Sequence, residues 1–470
     1  MDQILYWNDV ALEANRISFT DKEKSEQGGP TLSSRALGII HLAMHDAYVG
    51  TSGTASFTSY LGALPAAPPG SSIVAAIAGA AHTALISLYP KQKSFFDKKL
   101  NSLTHILSGE DKGHRYGCKI ALLILAERNN DPNNSDAGYF PHTGRGLHKP
   151  DPDNVQGFLA PNYGAKSKPF AVTARHDLVA PPFNNSDYLR AVKQVRGLGI
   201  APELMGTVPN SYTKRNVDQT LIGIFWGYDG ANSIGTPPRL YNQIVREVAM
   251  EKNNSLEQNV RLFALVNAAM ADAGILAWDQ KYIHNFWRPV VGIREHDKSM
   301  GSTGVATNNI SNDCDTQWLP LGAPKSNVDN SKNFTPDFPA YPSGHATFGA
   351  AALHITRLFY GVLPGNRKKD DLFKNCDFVS DEFNGVTKDH VGTIRPCHTR
   401  NYPNGLWQMI LENGLSRVYL GVHWSFDAFK TKVTGEPVFD VKVGGVDLGL
   451  KIAEDIFASG LQKSTVLPRS

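Results

Sequence analysis

Apolar residues recur at three- and four-residue steps through four long stretches: Ser34 to Val49, Ser72 to Tyr89, Leu256 to Trp287 and Ala346 to Tyr360. That spacing gathers them on one face of a helix, so each stretch predicts a helix. The pattern breaks twice. From Asp131 to Asn185 the chain turns to glycine, proline, asparagine and histidine, as in HTGRGLHKPDPDN, and predicts a long irregular connection. A second irregular stretch runs from Glu295 to Pro339. No repeat or low-complexity tract is visible. The pattern predicts an all-α protein of two helical halves, residues 1–185 and 186–470, with the candidate chemistry in the second.

Composition narrows this picture. With 470 residues, 41% hydrophobic and 19% charged, the chain has the makings of a large folded core. The net charge of +3 and the scatter of basic residues argue against a nucleic-acid partner; the run Arg367-Lys368-Lys369 beside Asp370 and Asp371 reads as solvated surface. The most apolar window, Ile73 to Tyr89, carries His82 and is too short for a membrane span, so a core helix is expected. The start, Met1-Asp2-Gln3, shows no secretory signal, and the compartment stays open between cytoplasm and export by another route. Cys118, Cys314, Cys376 and Cys397 lie far apart without paired spacing, against zinc and against a disulfide scaffold, with a Cys376–Cys397 bridge left open. The sequons at Asn309 and Asn333 read as surface loops, and Val466 to Ser470 as an appendage outside the fold.

Three short motifs carry the chemistry. Lys281 and Arg288 are seven residues apart, two helical turns, which predicts that both project from one face before Pro289 ends the helix. A guanidinium grips two oxygens and an ammonium acts as a point charge, so the pair suits an oxyanion; taken alone it fits a basic surface helix better. Pro342-Ser343-Gly344-His345 runs directly into a helical pattern, placing Ser343 and Gly344 where free amides and the helix dipole favour an anion. An ordinary serine cap beside an incidental histidine fits as well. Ser416-Arg417, followed by Gly421, His423 and Asp427, adds a cation and a histidine whose tautomer a carboxylate four residues on can fix across a helical face. Its neighbours Trp424 and Phe426 suggest burial, where unpaired charge is costly.

Together and in this order, these motifs are the signature of the superfamily that joins type 2 phosphatidic acid phosphatases and bacterial acid phosphatases with the vanadium-dependent haloperoxidases. From about Ile222 to Lys430 the chain closely resembles the fungal-type vanadium chloroperoxidases, through Tyr228-Asp229-Gly230-Ala231-Asn232, Met270 to Gly274, Phe286 to Pro289, Phe338 to Phe348 and Ser416 to Ala428. The likeness is weaker at Ile4 to Arg16 and His41 to Tyr48.

The resemblance implies two four-helix bundles, a vanadate cofactor and hydrogen peroxide as co-substrate. It implies that Lys281, Arg288, Ser343, the Gly344 amide and Arg417 hold the vanadate oxygens, that His423 ligates vanadium with Asp427 behind it, and that His345 is the acid and base. Asp229 resembles the buried carboxylate that pairs with the cage arginine. Trp278 and Phe338 resemble the halide pocket of the chloroperoxidase branch; algal bromoperoxidases carry a histidine at the position of Phe338. Asp337 stands where proline is expected, and a carboxylate there would repel an anion, which leaves bromide favoured over chloride.

The implied activity is oxidation of bromide, and also chloride, by peroxide to hypohalous acid, which diffuses away and halogenates small organic acceptors. One rival is an acid phosphatase using the same cage, with His423 as nucleophile forming a phosphohistidine and His345 protonating the leaving group. Another is a phosphate or vanadate binder without turnover, against which the second histidine, His345, argues. Oligomeric state and native acceptor stay open. His41, His45 and Asp46 imitate a metal site but lack a third ligand of clear spacing and read as packing. His142 and His148 earn no role beyond lining an entrance.

Overall fold

A computed structural model describes residues 2–103, 112–155, 157–302, 304, 311 and 313–469. The sequon at Asn309 lies outside them. The fold is all-α, as the pattern predicts, with α1 (Gln3–Thr20), α2 (Gly29–Ser52), α3 (Ile73–Leu88), α4 (Lys93–Asn101), α5 (Lys112–Glu127) and α6 (Tyr163–Lys166) in the first part, and α7 (Ser186–Leu198) opening the second. Then follow α8 (Val217–Phe225), α9 (Pro237–Glu251), α10 (Leu256–His284), α11 (Pro289–Arg294), α12 (Gly344–Phe359), α13 (Gly405–Tyr419), α14 (Ser425–Ala428) and α15 (Gly444–Ser459). Asp377–Val379 pairs antiparallel with Thr399–Asn401, and Lys430–Thr431 with Pro437–Val438.

Helix α10 is the axis of the molecule. A reciprocal cap between Ser255 and Gln258 starts it, and from Leu262 to Lys281 every side of it is buried. A helix apolar all round needs neighbours all round: α2 lies against one side and α12 and α15 against others. Among the described residues α10 alone is by itself long and apolar enough to cross a membrane, yet nearly all of that window is covered by other elements. The polar residues at its centre, Asn267 and Asp272, are hydrogen-bonded. Asn267 exchanges hydrogen bonds with Asn242, which accepts from Asn8, whose amide also lies 3.0 Å from His41 Nε2. His41 therefore joins a chain of polar contacts linking α1, α2, α9 and α10, and burial pushes it down to about 4. His45 Nδ1 bonds Asp46, and no metal-holding cluster occurs among the described residues.

The long helix ends sooner than the periodicity predicts. Asn285, at φ 47°, takes the left-handed conformation that closes a helix, and its N–H caps the Lys281 carbonyl. Pro289 does not end a helix; it is the first residue of α11, with Arg288 as its N-cap. Lys281 and Arg288 thus belong to different elements and do not share a helical face.

Two further elements bear on the site. Helix α15 presses on α12 through glycines: a Cβ at Gly445 would lie 2.3 Å from the Ser343 carbonyl oxygen and one at Gly449 2.4 Å from that of Thr347. The C-terminal residues are not an appendage. Ser464 and Arg469 donate backbone hydrogen bonds to Phe170 and Ala165, and the Arg469 guanidinium pairs with Asp279 on α10 at 2.7 Å. All four thiols are free, so Cys376 and Cys397 are unpaired.

Candidate active site

The three motifs converge at the C-terminal end of α10 and the N-terminal end of α12. Lys281, in the last turn of α10, is wholly buried and donates to the carbonyls of Pro339, Ala340 and Pro342 at 2.8, 3.2 and 2.5 Å. Arg288 donates through Nε to the Phe338 carbonyl at 2.9 Å and through Nη1 to the Val422 carbonyl at 2.8 Å. The gap between these cations is spanned from elsewhere in the chain. The His148 N–H donates to the Asn285 carbonyl at 2.8 Å and the Trp287 N–H to that of Gly146 at 3.0 Å, so residues 144–148 splint the turn between Lys281 and Arg288.

Ser343 caps α12 and Gly344 is its first residue, leaving a first-turn amide without a helical partner. A Cβ at Gly344 would meet the Trp278 ring at 3.3 Å, so glycine keeps that approach open. Arg417, near the end of α13, is held end-on by Asp229 at 2.7 and 3.0 Å. His423 is not helical. It sits in the tight turn after Gly421, whose φ of 73° suits glycine, and reaches Asp427 because Asp427 closes the following short helix onto the Trp424 amide. The contact expected of that pair therefore forms, by a different geometry: His423 Nδ1 donates to Asp427 at 2.8 Å. Nε2 is then the unprotonated nitrogen, 2.9 Å from Arg288 Nη1. His345 Nε2 donates to the Gly227 carbonyl at 2.6 Å and lies 3.9 Å from Asp229.

Electrostatically the cluster is short of negative charge. Burial, reinforced by Arg288, holds the Lys281 ammonium well below its usual range, and burial lowers Arg288 to about 9. Burial and the adjacent cations keep His423 neutral, burial takes His345 down to about 4, and burial raises Asp427 to about 7. Arg288 Nη2 and Arg417 Nε are buried donors without a protein partner. Unsatisfied buried donors are costly, and a tetrahedral oxyanion among them supplies both the acceptors and the missing charge. The donor set therefore fits vanadate or phosphate.

A cavity of about 240 Å³ adjoins this cluster and is lined in part by Asp229, Gly344, His345, Arg417 and His423. On its wall the Trp278 and Phe338 rings lie 4.8 Å apart, with Lys281 Nζ 5.1 Å and Arg288 Cζ 4.9 Å from the Phe338 ring centre. Phe158 packs edge-on against both, at 6.3 and 5.9 Å, and completes a three-ring wall. It comes from the irregular connection, where nothing in the sequence pattern marks it. Asp337 also lines the cavity, but its carboxylate accepts the amides of Asp151 and Gly157 at 3.1 and 2.6 Å, strapping the loop that carries Phe158.

The sequence also gives no sign of Gly227 or of Glu382, a fully buried carboxylate bonded to Ser326 and Arg395 behind the 227–229 turn. His142 is exposed and His148 is buried beneath Tyr139; neither lines the cavity.

Residues 1–161 match the profile of the vanadium chloroperoxidase N-terminal domain and residues 261–444 that of the VCPO second helical-bundle domain. The chain is 32% identical to the vanadium chloroperoxidase of Curvularia inaequalis, across 98% of this chain and 90% of that protein. Among solved structures it resembles the first bacterial vanadium-dependent iodoperoxidase, with a TM-score of 0.67 at 18% identity over 98% of this chain and 97% of that one. It also resembles an apo-type bacterial vanadium-dependent chloroperoxidase, with a TM-score of 0.63 at 16% identity over 92% and 94%.

Proposed function

Because this chain belongs to the vanadium chloroperoxidase family, whose members are vanadium-dependent haloperoxidases, we propose that it uses hydrogen peroxide to oxidise bromide, and also chloride, to hypohalous acid that halogenates small organic acceptors. The observation that carries this reading is the set of three buried cations with two unpartnered guanidinium donors, placed beside an aromatic pocket.

Lys281, Arg288, Ser343, the Gly344 amide and Arg417 would hold the oxygens of vanadate, and His423 would ligate vanadium through Nε2, kept unprotonated by the bond from Nδ1 to Asp427. Asp229 fixes the Arg417 guanidinium from behind. Vanadate, when bound, supplies a Lewis acid that stays V(V) and activates peroxide. The protein does the rest. His345 is neutral, with Nε2 occupied by the Gly227 carbonyl, so its Nδ1 accepts the proton that peroxide gives up and later returns it. Lys281, fixed by three carbonyls, presents positive charge where negative charge gathers on oxygen. The rings of Trp278, Phe338 and Phe158 exclude water from the halide. One peroxide, one halide and one proton give one hypohalous acid and one water.

Bromide is the better substrate, since it sheds water at lower cost than chloride. The two amides that Asp337 accepts offset part of its charge, which keeps chloride turnover within reach.

The deciding experiment is halogenation of a chromogenic acceptor with peroxide and either halide, before and after adding orthovanadate. Vanadate-dependent turnover is expected, faster with bromide. Absence of turnover with both halides, together with vanadate-inhibited hydrolysis of a phosphate ester, would overturn this reading in favour of a phosphatase.

A further inference from the structure

Resting on the haloperoxidase reading, we propose that the cavity above the two histidines binds the organic acceptor itself, as an electron-rich aromatic anion held by the ammonium of Lys325 and a box of aromatic rings. The oxidised halogen is then intercepted where it forms, before it escapes.

Besides the anion cluster, the cavity has a second set of lining residues. Phe19, Phe158, Phe334 and Phe348 line it with Lys325, none of which the halide chemistry requires except Phe158. Lys325 Nζ stands 5.0 Å from the Phe334 ring centre, so the ammonium is seated on an aromatic face of the same wall. The residue is half-buried, its backbone N–H donates to Asn333 Oδ1 at 3.2 Å, and desolvation lowers the ammonium from its usual range.

The two carboxylates that reach the cavity are engaged elsewhere. Asp229 is taken by Arg417 at 2.7 and 3.0 Å, and Asp337 accepts the amides of Asp151 and Gly157. What the cavity offers a ligand is therefore aromatic surface and positive charge. An arene bearing a carboxylate or phenolate complements both, stacking its ring on the phenylalanines and setting its charge against Lys325. The volume suits one or two fused rings: about 240 Å³, against the ~150 Å³ that holds a benzene.

An acceptor seated there shares the cavity with His345 and His423. As hypobromous acid forms, a ring carbon donates its electron pair to bromine, the O–Br bond breaks, and the displaced hydroxide leaves with the ring proton as water.

The test uses the vanadate-loaded enzyme with peroxide and bromide, and an equimolar mixture of 6-hydroxy-2-naphthoate and its methyl ester. The reference is the same mixture treated with reagent hypobromite. We expect the enzyme to enrich bromination of the acid about tenfold over the reference, Lys325→Gln to return the ratio to the reagent value, and Lys325→Arg to keep the enrichment. An enzyme ratio equal to the reagent ratio while bromide is being oxidised would overturn this proposal and leave the haloperoxidase reading standing. No bromide oxidation at all, by peroxide consumption, would overturn both. Calorimetric titration of the two naphthalenes without peroxide gives an independent readout, with tighter binding of the acid expected and equal binding counting against the proposal.

Discussion

Which nitrogen His423 offers is decided by its partner: the carboxylate of Asp427 claims Nδ1, so Nε2 is left facing Arg288 as a base or ligand. His345 shows the opposite arrangement, with Nε2 spent on the Gly227 carbonyl. The two rings are therefore not interchangeable. His423→Ala is expected to abolish vanadate binding, read by equilibrium dialysis. His345→Ala is expected to retain vanadate while losing turnover by on the order of a hundredfold or more, and a fully active variant would remove His345 from the mechanism. Phe158→Ala opens the third side of the halide wall to water, and the poorer-dehydrating halide suffers more. Chloride turnover is expected to fall several-fold further than bromide turnover, measured side by side on the same preparation; equal losses would deny Phe158 a place in halide selection.

At the scale of elements, the centre of α10 carries a second device. Asp272 accepts the amides of Phe170, Ala171 and Val172 at 2.5, 2.8 and 2.9 Å and so pins that segment to the helix. Burial nevertheless pushes its carboxyl up to about 6, although the amides pull it back. A carboxyl with a folded pKa above its unfolded value, ~3.9, favours the protonated form on folding. Its contribution to stability is therefore full below pH ~4 and is lost as pH rises through 6. Asp272→Asn is expected to cost ~2 kcal/mol, because an amide nitrogen replaces one of the two oxygens that accept these N–H groups. The same substitution removes this group's share of the fall in Tm between pH 4 and 6, which scanning calorimetry across that range would reveal; an unchanged slope would exclude Asp272 as its source.

The elements also explain what the sequence could disclose. Ser343 to His345 and Arg417 to Asp427 were legible because their working residues stand in short contiguous runs. The helical face assumed for Lys281 and Arg288 failed because asparagine at 285 adopts the left-handed conformation, which a periodicity of apolar residues does not register. Phe158, Gly227 and Glu382 were invisible because their partners lie far away in the chain, and such pairings leave no local spacing to read.

At the scale of the molecule, one connected core runs from Ile4 to Leu461, and the cavity draws Phe19, Pro30 and Phe158 from the first part of the chain and its cations from the second. The division at residue 185, still a proposal, is thus a division of sequence more than of stability. Helix α10 buries one side against α2. Residues 186–470 alone are expected to expose that side and to fail to bind vanadate; a monomeric, vanadate-binding fragment with native circular dichroism would show instead that the second part stands by itself.

The splint at residues 144–148 has a consequence for how such a chain can change over generations. Loops ordinarily tolerate insertions and deletions, and the 131–185 connection has that freedom only where no contact pins it. Between Gly144 and His148 it does not, because two backbone bonds measure the turn that separates Lys281 from Arg288. A residue gained or lost there alters the spacing of two cations more than a hundred positions away. In lineages descended from this chain, gaps are expected to gather on either side of those five residues and to spare them.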